Sequence, residues 1–304
     1  MGQNLHTAQL TGLHGALGGV LADFQPTATS FIVTIYGDVV EPRGGVLWMG
    51  TLIDICAAVG VSETLTRTAV SRLVAAGQLI GERAGRRSFY RLSPDARAEY
   101  SLAARLLFDP PPTGQGWLIV SPKDADEDRL IRAGFAPLGP GVFIGPDRPR
   151  VGAAVEGLTF RAEVVQDAAS LPGFAAAHWD MAQHADAYTA FLARFAPLVP
   201  VLGAEQVPPC SGRLALVARL ALVHAYRAAV LRDPGLPKAA LPPDWPGATA
   251  RGVFARLYLG LSPLADSHVG KHFKHANGHL PVATPATEHR LASLGRAPGG
   301  WPET

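Results

Sequence analysis

The sequence predicts an α+β protein in three parts: a small basic module near the N-terminus, a mixed layer in the middle and a helical C-terminal part. Three observations predict it. Residues 61–92 read as a helix, a glycine and a tight arginine-rich hairpin. A stiff run, Asp109-Pro110-Pro111-Pro112-Thr113-Gly114, precedes short strand-like segments that alternate with a helix. From Ala175 onward the periodicity turns helical and includes a long, almost uniformly apolar stretch over residues 213–232.

Residues 1–26 form a lead segment, and residues 27–108 the first folded part. Residues 27–40 (TATSFIVTIYGDVV) are apolar and β-branched, so propensity alone leaves strand and helix open. Pro42-Arg43-Gly44-Gly45 is a turn, and residues 47–59, with Trp48, Leu52, Ile53 and Ile55, form an apolar helix. Ser62 is placed to cap the next helix, Glu63 to meet its dipole and Gly77 to end it. At roughly 100° per residue, Leu65, Ala69, Val70, Leu73, Val74 and Ala76 fall on one face. Thr64, Arg67, Thr68, Ser71 and Arg72 fall on the other. A solvated face ordinarily mixes Glu with Lys at i,i+4. This one holds hydroxyls and arginines, which are the groups that reach base edges and phosphates.

Residues 79–83 and 88–92 are two strands joined by Ala84-Gly85-Arg86-Arg87, where Gly85 is free to take a positive φ. Arg86 and Arg87 at the tip, flanked by Arg83, suit phosphate or minor-groove contact. Six arginines and two glutamates give residues 61–92 a net +4, within a chain whose net charge is +2. Helix, glycine and basic hairpin in that order describe a winged helix-turn-helix. Pro94 opens a further helix that runs through Tyr100 to Leu107.

The middle part spans residues 115–168, with strands at 117–120, 142–144 and 158–165 and a short helix at 124–132. Asp124, Asp126 and Asp128 alternate in that helix, either as an N-terminal charge bias or as metal ligands. The helical part spans residues 174–275, and an amphipathic stretch begins at His178-Trp179-Asp180 and reaches Phe195. In the apolar helix, Arg219 and Tyr226 share one face while Arg213, His224 and Arg227 share another. A buried arginine demands an anion, either an internal carboxylate or a ligand phosphate. Trp179, Tyr226 and Trp245 are core aromatics or the walls of an aryl pocket. With Arg219 they make up the candidate ligand-binding set. His268, His272 and His275 share helical spacing, but Gly270 weakens the helix and no acid or cysteine joins them, so no metal site is assigned. Residues 276–304 are expected to be a flexible tail, with Leu280, Val282 and Leu291 able to dock.

The chain resembles the PaaX family, repressors of bacterial phenylacetate catabolism. The matching residues are Tyr36-Gly37-Asp38, Pro42-Arg43-Gly44-Gly45, Trp48 with Gly50 and Leu52, Arg67-Thr68-Ala69-Val70 and Arg72-Leu73. Gly85-Arg86-Arg87-Ser88, Tyr90-Arg91-Leu92, Leu231-Arg232-Asp233-Pro234-Gly235-Leu236-Pro237, Leu241-Pro242 and Asp244-Trp245-Pro246 complete the likeness. Gln78 departs from it, since the family tends to carry Trp there. The resemblance implies a winged helix, a ferredoxin-like middle domain used for dimerisation and a helical effector domain. It also implies a homodimer on palindromic operator DNA, released by an aryl acyl-CoA such as phenylacetyl-CoA.

Composition narrows the alternatives. The chain's 304 residues, 48% hydrophobic and 17% charged, suffice for two or three parts with sizeable cores. No apolar run is long enough to cross a bilayer and no basic n-region precedes an apolar stretch, so a cytoplasmic protein without membrane contact is expected. Two cysteines exclude a disulfide framework or zinc ribbon, and Cys56 is expected to act as a small hydrophobe. The leading expectation is a transcription repressor with no cofactor and no catalytic residues. Its rivals are an enzyme acting on acyl-CoA or nucleic acid with an appended winged helix, and an architectural DNA binder without a ligand. The enzyme would need a nucleophile–base or carboxylate–metal set, and none has convincing spacing.

Overall fold

Packed helices and three antiparallel sheets make up the described residues of the computed structural model, which are 13–110, 116–123, 127–147, 156–202 and 210–296. Helix α1 (Leu13–Ala22) sends Leu17 into the core. Helix α2 (Ala28–Ile35) starts at Thr27, whose hydroxyl accepts from the Ser30 amide, and continues through a π turn and a 3-10 turn to Gly44. The ambiguous β-branched run is therefore helical, because Phe31, Ile32, Ile35 and Val39 all reach the core from it.

Strand β1 (Val46–Trp48) corrects the expectation of a helix from residue 47: the helix α3 (Met49–Ala57) begins only after Trp48. Leu47 and Trp48 instead pair with Tyr90 and Phe89 across the ladder. Ser62 caps helix α4 (Glu63–Ala75) through the Leu65 amide at 3.3 Å, and Gly77 leaves it at φ 69°. Strands β2 (Leu79–Ala84) and β3 (Arg87–Leu92) form a hairpin turning at Gly85, φ 61°, a backbone region that glycine enters at little cost. The sheet order is β1-β3-β2. Helix α5 (Pro94–Phe108) follows, capped by Ser93.

The middle sheet has the order β5-β6-β4-β7, from β4 (Trp117–Pro122), β5 (Ala136–Gly139), β6 (Val142–Pro146) and β7 (Gly157–Ala162). Helix α6 (Glu127–Arg132) packs Leu130 with Val120, Phe135 and Phe143. Strand β5 has no strand signature in its Pro and Gly residues; it survives as a bulged edge strand. Asp124 and Asp126 lie outside the described residues.

Helices α7 (Leu171–His178) and α8 (Met181–Phe195) are separate, because Trp179 turns extended and Asp180 caps α8 through the Gln183 amide. After the single turn α9 (Val199–Leu202) come α10 (Gly212–Val230) and α11 (Gly247–His272), which form the centre of the helical part. Lys274–His275 and Gly278–His279 make a short hairpin, β8 and β9. Within the stretch expected to be a flexible tail lies a helix, α12 (Pro285–Gly295), opened by a capping box at Thr284 and Thr287. Leu280 and Leu294 are buried.

One continuous buried cluster runs from α1 through α5 and on into α8, α10, α11 and α12. The first and third parts of the chain share this core. The middle sheet has its own small core and joins the rest through Trp117, Trp179, Met181 and Leu236.

Candidate nucleic-acid interface

Helix α4 buries Thr66, Ala69, Val70 and Leu73 and exposes Thr64, Arg67, Thr68, Ser71 and Arg72. The polar face therefore stands as read from the sequence, while the buried face is narrower than the apolar face drawn there. Leu65 is 56% exposed and Val74 40%, whereas Thr66 is fully buried. Its hydroxyl donates to the Ser62 carbonyl at 2.9 Å, so the threonine enters the core with its polar group satisfied. Exposed Leu65 adds an apolar contact to the outer surface that the faces drawn from the sequence did not show.

Charge on this surface is unevenly committed. Arg67 pairs with Glu63 one turn earlier at 2.7 Å, and Arg91 with Glu82 across the hairpin at 2.9 Å. Both pairs face solvent and contribute little to stability. Among the described residues, Arg72, Arg83 and Arg86 enter no ion pair. The Arg87 guanidinium lies 5.3 Å from the Trp48 ring centre, and the Lys274 ammonium lies 5.6 Å from the same ring. Trp48 thus positions a hairpin arginine and brings the C-terminal β8–β9 hairpin alongside the basic sheet. Sequence spacing held no signal for that long-range neighbour.

The four residues expected to bind ligand do not meet. Trp179 is buried between the middle sheet and α7, its indole N–H donating to the Gly134 carbonyl at 3.1 Å. Trp245 packs edge-on against Tyr188. Tyr226 stacks on Phe254 with ring centres 4.1 Å apart. Arg219 is sealed in an ion cluster: its Nε donates to Asp38 at 2.9 Å and its Nη1 to Asp266 at 2.6 Å, while Nη2 has no partner. Asp266 also accepts from Arg43 at 2.6 Å, and Asp38 from the Tyr258 hydroxyl at 2.8 Å. Burial opposes the charge of Arg219, but Asp38, Tyr258 and Asp266 outweigh it and raise its pKa. The buried arginine has found internal carboxylates, and its side chain is 1% exposed.

Burial also pushes the Cys56 thiol up to about 11, as befits a small core hydrophobe. The His268 and His272 rings lie with centres 4.3 Å apart and planes tilted by 34°, while His275 lies in β8 beyond the helix. Among the described residues no group of three His, Cys, Asp or Glu side chains is placed to hold a metal. None of the described helices is long and apolar enough to cross a membrane.

Comparisons with known proteins fall on the same segments. The family profile described as PaaX-like protein matches residues 27–96, and that of the PaaX-like protein C-terminal domain matches residues 179–271. The transcriptional repressor PaaX of Escherichia coli strain K12 is 31% identical over 278 residues, covering 84% of this chain and 87% of that protein. Among solved structures, an uncharacterized protein from Mycobacterium tuberculosis aligns with a TM-score of 0.46 at 24% identity, covering 79% of this chain and 98% of that one.

Proposed function

The chain belongs to the PaaX-like family, and from that premise we propose that it is a transcriptional repressor that binds operator DNA through α4 and the β2–β3 hairpin. Residues 27–108 then act as a winged helix-turn-helix, residues 115–168 as a ferredoxin-like dimerisation domain and residues 174–275 as a helical effector domain. One observation carries the reading: an exposed face of Thr64, Arg67, Thr68, Ser71 and Arg72 stands beside a hairpin tipped by Arg83, Arg86 and Arg87. In a major groove Arg67 and Ser71 address base edges, and Thr68 and Arg72 address edges or phosphates. The hairpin arginines address phosphates.

Two copies would place their α4 helices roughly 34–36 Å apart, one turn of duplex. Strand β7 supports such a pairing, being a sheet edge with Leu158 67% and Phe160 55% exposed. The released state is favoured by an aryl acyl-CoA such as phenylacetyl-CoA, and the protein works in the cytoplasm as a regulator rather than as an enzyme. The test is fluorescence anisotropy of the full chain on the duplex upstream of its own gene and on a scrambled duplex, at physiological ionic strength. Equal affinity for both duplexes sinks the proposal.

A further inference from the structure

A cavity of about 340 Å³ lies beneath the DNA-facing unit, and none of Trp179, Arg219, Tyr226 and Trp245 lines it. Its walls come from α2 (Ile32), the last turn of α4 (Leu73), the base of β2 (Leu79), α5 (Tyr100, Ala104) and α10 (Val223). They are mainly apolar, and the volume is within the range of small-molecule sites. Gln78, the first residue past Gly77, also faces it.

Arg227 enters this wall from α10. Its Nε is buried without a hydrogen-bond partner, and its Nη2 reaches only the Ser30 carbonyl at 3.4 Å. None of the ion pairs among the described residues includes it. That contrasts with Arg219 two turns earlier, which has two carboxylates. A half-buried guanidinium beside an apolar cavity is poorly compensated, and an anionic or strongly dipolar oxygen offsets the cost. CoA's phosphates need several cations, whereas this wall adds to Arg227 only Arg132, against two carboxylates, Glu99 and Asp38, the latter already paired with Arg219. The cavity therefore suits the acyl end of a ligand rather than a nucleotide.

We propose that this cavity is the effector site, and that it takes an aryl-sized apolar acyl group whose carboxylate or carbonyl oxygen is held by Arg227. The inference rests on the proposed function of the chain as a ligand-responsive repressor. Because Leu73 and Gln78 share the wall, an occupant acts directly on the base of the DNA-reading helix and its hairpin. A free acid and a CoA thioester present the same acyl chemistry, and the experiment separates them.

Calorimetry on the full chain uses phenylacetate and phenylacetyl-CoA as probes, alongside anisotropy of the operator complex with each. The variants are Arg227→Gln and, to fill the cavity, Ala104→Phe; circular dichroism shows that each has folded. Removing one charge-assisted hydrogen bond weakens binding by about 10–100-fold in Arg227→Gln. Ala104→Phe loses the response to ligand as well. Whichever probe binds the wild type tightly identifies the source of the acyl group. If wild type is released from operator and both folded variants respond as it does, the cavity is not the site, though the effector reading survives. If wild type holds its operator specifically and neither probe binds, both ideas fail while DNA recognition stands.

Discussion

Single side chains decide how this chain is held together. Asp38, Arg219, Asp266 and Arg43 form a buried set of two acids and two guanidiniums, so removing one member leaves an uncompensated charge. Arg219→Met should lower the free energy of unfolding by about 3–5 kcal/mol in urea titration, the cost of breaking a buried pair. A loss under about 1 kcal/mol would mean that the cluster is hydrated and weakly coupled. His224 makes a second, pH-dependent contribution. Burial, helped by the Arg227 charge, lowers its pKa from 6.5 to about 4, and its ring meets the Thr34 hydroxyl at 3.0 Å between Phe24 and Phe31. Its folded-state pKa is depressed, so the unfolded chain takes up the proton first. Stability from this site is complete above about pH 6.5 and falls as pH drops from there towards 4. Urea midpoints measured across that window should decline, and His224→Phe should flatten the decline. An unchanged slope in the variant would assign the acid sensitivity to other groups.

At the level of elements, α4 and its hairpin were the most legible part of the sequence. Ser62, Gly77 and Gly85 mark their ends through local chemistry, and the ordered residues follow those marks. What periodicity missed was the width of the buried face of α4: Leu65 and Val74 at its margins stay exposed, while Thr66 at its centre is buried with its hydroxyl satisfied one turn back. It also missed β1: Leu47 and Trp48 form a strand only because β3 pairs with them from forty residues away. The exposed surface yields separable expectations. Replacing Arg86 and Arg87 by Ala should weaken binding to every duplex and reduce the slope of log affinity against log salt by about 0.9 for each phosphate that is no longer neutralised. Arg67→Ala should instead cost about 1–3 kcal/mol on the preferred operator and little on scrambled duplex. If both variants lower specific and nonspecific affinity alike, α4 does not read bases.

Across the whole molecule, two of the segments behind the family resemblance, Tyr36-Gly37-Asp38 and Pro42-Arg43-Gly44-Gly45, lie in the seam between the two ends of the chain. Arg43, in the Pro-Arg-Gly-Gly turn, donates to the Pro281 carbonyl and to Asp266. The Pro42 carbonyl accepts from Thr284 at 2.6 Å, and the carbonyls of Gly37 and Asp38 accept from Arg290 of α12. Arg251 reaches the Leu107, Phe108 and Asp109 carbonyls that α5 leaves open at its end. None of this was readable from the sequence: each pairing joins residues more than 140 positions apart, and residues 276–304 carry the Gly and Pro content of a loose tail. A shared core and this seam predict that residues 27–108 and the helical part unfold together, since neither end buries its apolar faces alone. A chain truncated after residue 276 loses Arg290, Leu294 and the Pro281 carbonyl that accepts from Arg43, so it should unfold at markedly lower urea and bind operator more weakly, although it keeps every proposed DNA-contacting residue. Hydrogen exchange on the intact chain checks the coupling independently. Amides of α4 and α10 should open with one common free energy, and those of the middle sheet with another. A common opening energy for all three would show that the middle sheet is bound into the same cooperative unit. A lower one for α4 alone would show that this proposed DNA-reading helix moves free of the core, and would count against its control by a ligand in the cavity beneath it.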